Sequence, residues 1–443
     1  MAKAFMKSEV QNASSNWDEQ DLIKRLCHAL DLAKLTVGQL ANEGYTDPEN
    51  PGKNIRPEKI ISETAILLLS ASSVAGHSQI GERVKTLTEA LTPHARSERM
   101  MLGLCLEPTV AWDYALPHVV LARLGHPDQG FDELLRTALD AESRAGRERV
   151  PHRVLEQEWI AAMWQRSQRS DTPSLTARLS ILNQAMDVLN ATREDVYAFT
   201  HALMYVTDFN LSPAALVRSR DILLNEAEAL LARCLDEQDY DLAGEVLLSW
   251  PLTGKSWSAT GAFAFRILAR VEDRAGFLPT PSTRVEKIRS LKGISRTQYL
   301  LATAYHTAYV MGLLCAASLR DGHAPPSRIP TGCSKRGAAS HILGLLDLNG
   351  QAPHWYEEFQ LLSEPEADAL AGFLVNVLLR RRLTRRDFDG VRAVLQTVCD
   401  VELDGGAAVR QAAEMLQRLA TYAQVKANLQ LSTDSVPDIA LPY

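Results

Sequence analysis

The chain lacks most of the short motifs that announce a chemistry. Its six cysteines (Cys27, Cys105, Cys234, Cys315, Cys333 and Cys399) are scattered and form no CxxC pair. That excludes a zinc ribbon or a thioredoxin-type redox centre and fits reduced thiols of an intracellular protein. No HExxH, DDxxD or HxxxH spacing, no GxSxG elbow and no Rossmann glycine motif is present. Gly254-Lys255-Ser256 lacks the earlier glycine of a phosphate loop. Positive charge is also short, with 47 Lys and Arg against 54 Asp and Glu and a net charge of −7. A general nucleic-acid binder needs the opposite excess. The longest apolar runs, Ala65–Leu69 and Tyr309–Ala317, fall well short of the roughly 20 residues that span a bilayer. Lysines near Met1 are followed by no apolar stretch, so no secretory signal is expected and a cytoplasmic location is.

What is present is helical periodicity. Leu22, Leu26, Leu30, Leu35 and Leu40 follow a cap signal at Ser15 to Asp18, and similar patterns recur almost to the end. Predicted helices include Glu58–Ser73, Glu82–Leu91, Val110–Leu124, Phe131–Ala145, Pro151–Arg166, Ser174–Leu189, Glu194–Val206, Leu242–Trp250 and Arg296–Leu319. No window reads as a strand. The organisation expected is a flexible N-terminus over 1–16, an N-terminal helical region over 17–107, a main helical domain over 108–428 and a tail over 429–443.

The fold class is all-α. Asp239-Tyr240-Asp241, Asp387-Phe388-Asp389 and, more faintly, Gly130-Phe131-Asp132 repeat a turn in which an Asp can cap a new helix. Short turns of this kind imply antiparallel helix pairs, closed as an α/α toroid-like ring with a central pocket or open as an α-solenoid with a concave groove. The loop Asp321–Cys333 is the most conspicuous interruption and reads as a lid, a binding loop or a linker.

Several helices carry histidine beside Tyr, Asp or Glu. Pro93-His94, Pro117-His118 and Pro151-His152 each place His after a proline, which favours the first helical turn, although Pro117 can equally kink a helix running through it. There the helix dipole keeps imidazole neutral and able to serve as base or ligand. His152 and Glu156 share a face, continued by Trp159 and Met163. His201, Tyr205 and Asp208 fall at i, i+4 and i+7 on a helix whose other side is Val196, Phe199, Leu203 and Val206. Tyr299, Thr303 and His306 repeat the idea, and His118 has Tyr114 and Asp113 near it. Solvent-facing stripes usually carry Lys and Glu, so this set suggests a polar cavity. Taken singly, each histidine is more often a satisfied core residue. Arg380, Arg381, Arg382, Arg385 and Arg386 lie at a predicted helix end, where cations complement the dipole or bind an anion.

The strings Pro-His-Val-Val-Leu-Ala-Arg-Leu-Gly-His, Thr-His-Ala-Leu-Met-Tyr-Val-Thr-Asp-Phe and Tyr-His-Thr-Ala-Tyr resemble a family of bacterial all-helical proteins with no assigned activity. The resemblance covers about 110–319. It implies a tailoring role in secondary metabolism and carries over no catalytic residue.

The expected function is an enzyme acting on a small molecule or peptide. Its helical pocket would be lined by His118, His152, Glu156, His201, Tyr205, Asp208 and His306, acting by acid–base chemistry or through a divalent metal held by His201, Asp208 and His306. The alternative is a non-catalytic helical-repeat scaffold for a peptide or protein partner. No nucleic-acid or membrane partner is expected, and a homo-oligomer is compatible with the composition.

Overall fold

The computed structural model describes residues 18–40, 44–46, 54–167, 172–320, 323–332, 335–347 and 352–433. The expected flexible N-terminus, Cys333 and residues 434–443 of the expected tail lie outside them.

The described chain is all-α. Its helices are α1 (Glu19–Gly38), α2 (Pro57–Ser72), α3 (Ser78–Ala95), α4 (Glu98–Leu106), α5 (Ala111–Arg123), α6 (Gln129–Leu139) and α7 (Pro151–Gln165). There follow α8 (Leu175–Leu179), α9 (Arg193–Val206), α10 (Arg220–Asp236), α11 (Tyr240–Leu247), α12 (Ser249–Thr253), α13 (Ala259–Ala275) and α14 (Val285–Ser290). The series ends with α15 (Gly293–Ser318), α16 (Ala338–Leu343), α17 (His354–Phe359), α18 (Glu364–Ala369), α19 (Ala371–Thr384), α20 (Phe388–Asp400) and α21 (Gly406–Thr433). Among the described residues, extended pairing is confined to two residues on each side, Tyr45–Thr46 with Asn54–Ile55.

Capping sets many of the starts. Asp239 accepts from the Leu242 N–H at 3.2 Å, and Asp387 accepts from the Gly390 N–H at 2.8 Å. Before each cap one residue takes a left-handed conformation, Gln238 at φ 55° and Arg386 at φ 55°. The repeated turn thus exists at both places. In the third copy the cap is Asp128, which accepts from the Phe131 N–H at 3.0 Å, while Asp132 sits one turn into α6.

One proline reading changes, and the open one at Pro117 resolves to a proline within a continuous helix. Pro93 lies inside α3, so His94 is in a last turn, and Pro117 lies inside α5. Only Pro151 opens a helix as expected. The helix expected over Ser174–Leu189 is reduced to the five residues of α8 and a 3-10 turn. Its apolar periodicity is real, because Leu182, Met186, Val188 and Leu189 are buried. The backbone there is satisfied from outside: the Met186 N–H donates to Glu226 at 3.1 Å and the Val188 N–H to Gln411 at 3.0 Å.

One buried cluster runs from Leu22 to Ala412 and crosses the domain boundary drawn at 107/108. Within it six helices pack in a circuit: α2 on α5, α5 on α7, α7 on α9, α9 on α11, α11 on α15, and α15 back on α2. Other helices back this circuit, with α1 against α15, α3 against α2, and α10 against α11. The C-terminal helices α19 and α21 pack outside α10.

Helix α15 is the apolar axis of the molecule. It is the one described helix long and apolar enough to cross a membrane, and 89% of its most apolar window is buried inside the protein. Gly312 lets it approach α1 and α2, since a Cβ there would lie 2.7 Å from the Ala29 Cβ and 2.8 Å from the Leu67 Cδ1. Gly244 does the same for α11, because a Cβ there would meet the Val310 Cγ1 at 2.6 Å.

Candidate functional site

All six helices of the circuit line a cavity of about 430 Å³. That is the size of a small-molecule pocket. Each of the six helices contributes: Glu63 from α2, Asp113 and Tyr114 from α5, Arg153 and Glu156 from α7, Tyr197, His201 and Tyr205 from α9, Glu245 from α11, and His306 from α15. Ile66, Leu116, Met204, Phe209, Val310 and Leu313 supply an apolar wall.

The α9 contribution is built by helix start and burial together. Thr192 and Asp195 form a capping box that fixes where the helix begins. Val196, Phe199 and Leu203 are then driven into the core, which turns Tyr197, His201 and Tyr205 toward the cavity. The Tyr205 hydroxyl donates to Glu156 Oε1 at 2.7 Å. His201 stacks on Tyr197 with ring centres 3.7 Å apart. Its Nδ1 meets the Tyr197 carbonyl at 3.1 Å, an arrangement in which Nδ1 carries the hydrogen and Nε2 keeps its lone pair.

Helices α11 and α15 meet over a close cluster. His306 Nε2 lies 3.4 Å from Asp241 Oδ1 and 3.5 Å from Glu245 Oε1, and its Nδ1 lies 3.1 Å from Glu63 Oε2. Thr200 donates to Glu245 Oε2 at 2.6 Å, and Arg193 donates to Asp241 Oδ2 at 3.0 Å.

The electrostatics follow from burial opposed by these partners. Desolvation pushes the His306 pKa down, but Glu63, Asp241 and Glu245 together outweigh it and hold the imidazole well above its ordinary value. Glu63 is correspondingly drawn down to about 2, with desolvation overcome by His306 and Lys59. Desolvation dominates at His201, lowering it, and at Asp241, raising it. Asp113 is exposed at the cavity lining but crowded by neighbouring atoms, and desolvation together with Glu156 raises it to about 6. Desolvation, Arg153 and His201 bring His152 down to about 4.

Of the seven residues expected at the site, Glu156, His201, Tyr205 and His306 line the cavity. His152 stands behind them, its ring centre 6.3 Å from that of His201. His118 does not join them. It is fully buried between α5 and α6, stacked on Phe131, with Asp132 at 3.1 Å from Nε2 and Arg96 donating to Nδ1 at 3.2 Å. Asp113 and Tyr114, a turn or more earlier on the same helix, line the cavity instead.

Asp208 is also placed apart, which corrects the expected metal trio of His201, Asp208 and His306. It accepts from Trp159 Nε1 at 2.7 Å and from the Ser212 hydroxyl at 2.9 Å. The reason is that α9 ends at Val206, so the helical spacing that put Asp208 beside His201 stops before reaching it. Tyr299 and Thr303 are likewise occupied away from the cavity: the Arg284 N–H donates to the Tyr299 hydroxyl, and Thr303 bonds the Tyr299 carbonyl.

The sequence reading missed Glu63, Asp113, Asp241 and Glu245 as site residues. Asp241 and Glu245 carried a signal, two carboxylates one helical turn apart. Glu63 carried one as well, a lone acid inside the apolar run from Ile60 to Leu69. The arginines at the end of α19 make ion pairs: Arg381 with Asp236 at 2.7 Å, Arg382 with Asp387 at 2.8 Å, and Arg385 with Asp347 at 3.3 Å.

Comparison with curated proteins and with solved structures gives no match. A family model does match, over residues 29–316, a span that holds every cavity-lining residue. The chain therefore belongs to the DUF6895 family, a domain of unknown function.

Proposed function

We propose that this protein is an enzyme that encloses a small organic molecule in the six-helix cavity and acts on it with the acid–base groups of its polar wall. The observation that carries the reading is convergence. Glu156, His201, Tyr205, Glu245 and His306 come from four helices, are distant in sequence and face one cavity of about 430 Å³. An apolar wall opposite would seat the hydrocarbon part of a substrate. Tyr205 on Glu156 and His201 on the Tyr197 carbonyl are held by partners, as groups that transfer protons at a fixed atom must be.

A closed circuit of helices favours a toroid-like arrangement and a small ligand over a solenoid groove and a long peptide. A cytoplasmic location, read from the scattered cysteines, and a tailoring role in bacterial secondary metabolism, read from the sequence resemblance, belong to the same proposal.

The test is a small-molecule screen by thermal shift, followed by mass-spectrometric assay of each stabilising compound for conversion. Conversion by the wild type, with binding retained but turnover lost in His201→Gln and Glu156→Gln, is expected. Undiminished turnover in both variants would overturn the reading.

A further inference from the structure

The geometry points to a divalent transition-metal site formed by His306 Nε2, Asp241 Oδ1 and Glu245 Oε1, at the junction of α11 and α15. These ligand atoms all lie within 4.8 Å of one another. The separations from His306 Nε2, 3.4 Å to Asp241 and 3.5 Å to Glu245, suit a shared ion. A tetrahedral ion with bonds of about 2.1 Å sets its ligand atoms about 3.4 Å apart.

The second observation is how each side chain is held. Every one of the three has its other polar atom engaged by an outer partner: His306 Nδ1 by Glu63, Asp241 Oδ2 by Arg193, and Glu245 Oε2 by Thr200. The atoms left over face one another. Asp241 Oδ1 in particular is buried and accepts no hydrogen bond, its one charged neighbour being His306 Nε2 at 3.4 Å. A buried carboxylate oxygen without a donor is costly, and a cation is the group that would complete it.

A carboxylate on the far nitrogen of a ligating imidazole, and hydrogen bonds to the ligating carboxylates, are the outer shell that metal sites require. One imidazole with two carboxylates is a mixed nitrogen and oxygen set, suited to Zn²⁺ or Mn²⁺. His306 Nε2 must lose its proton to solvent to ligate, while Nδ1 keeps its hydrogen toward Glu63. Glu245 and His306 line the cavity, so the remaining coordination positions would open toward a bound molecule. Chemically, such an ion would supply Lewis acidity or an activated water.

The inference rests on the cavity being the functional site, and its test is separable from that reading because metal binding is measured without turnover. Full-length protein stripped with a chelator is titrated with Zn²⁺ and with Mn²⁺ by calorimetry, and with Co²⁺ by its visible absorption. One equivalent is expected to bind. His306→Gln and Glu245→Gln should lose at least 100-fold in affinity. Glu63→Gln, which leaves all three ligands in place, should lose about 10- to 100-fold. Asp208→Asn, a carboxylate of the same helical neighbourhood outside the trio, should bind as the wild type does. Circular dichroism checks that each variant is folded, and the wild-type titration stands if one is not. Absence of a stoichiometric site in the wild type overturns the inference, as does affinity unchanged in both His306→Gln and Glu63→Gln. In that case Glu63, Asp241 and Glu245 serve only to hold a protonated His306, and the acid–base reading of the cavity is untouched.

Discussion

Asp208 and Asp241 carry the same side chain into very different surroundings. Asp208 has both oxygens occupied, by Trp159 and Ser212, and ties α7 to the end of α9. Asp208→Ala would leave the buried Trp159 N–H without its acceptor and should cost about 1–3 kcal/mol in urea unfolding. A stability unchanged within error would contradict the bonding described. His152 gives a pH prediction. Its folded pKa of about 4 lies below the ordinary 6.5, so the folded protein binds fewer protons there between those values. Its neutral form therefore contributes fully above 6.5, and that contribution is lost as pH falls toward 4. Asp113, raised to about 6, works in the opposite direction and flattens the whole-protein profile. The comparison with His152→Asn isolates the imidazole's contribution: the variant should gain stability relative to wild type as pH drops from 6.5 toward 4. A gap that stays constant across that range would refute it. At this scale the sequence exposed residue types and spacings but not where a helix stops. His201 and Tyr205 were legible because α9 runs through both, and Asp208 was misplaced because α9 ends at Val206.

Helices were easier to read than their ends. The 3.6-residue pattern located α7, α9 and α15 closely, since burial of one face is what makes them helical. It failed over Ser174–Leu189, where Glu226 and Gln411 satisfy the backbone of an apolar but irregular segment. It also joined α11 and α12, which meet at Leu248. Between elements, the position that decides the site is Gly244. Its missing side chain lets α11 lie against Val310 of α15, and so brings Asp241 and Glu245 to His306. Gly244→Val should destabilise the protein by about 1–3 kcal/mol through overpacking. It should also widen the cluster. Thermal unfolding reads the first effect and Zn²⁺ calorimetry the second. A variant as stable as the wild type would show that the contact is not tight.

At the scale of the molecule, the site depends on contacts between helices far apart in sequence. Glu63 and His306 are 243 residues apart in sequence and 3.1 Å apart in space, and α2 packs against α15 to make that contact. Nothing local in the chain encodes such a meeting. Periodicity gives the faces and capping gives the turns, while the choice between a ring and an open curve lies in long-range packing. That packing also explains why an N-terminal region set off at 107/108 shares its core with the rest, because α2 supplies one wall of the cavity. The central claim is that this one cavity is where the protein meets its ligand, and filling it tests that claim most directly. Met204 is nearly buried and lines the apolar wall, so Met204→Trp places an indole in the space a ligand would take. For any small molecule that stabilises the wild type, calorimetry should show one-to-one binding to the wild type and none to the folded Met204→Trp variant. Equal affinity for the two proteins would place the ligand elsewhere and contradict the account.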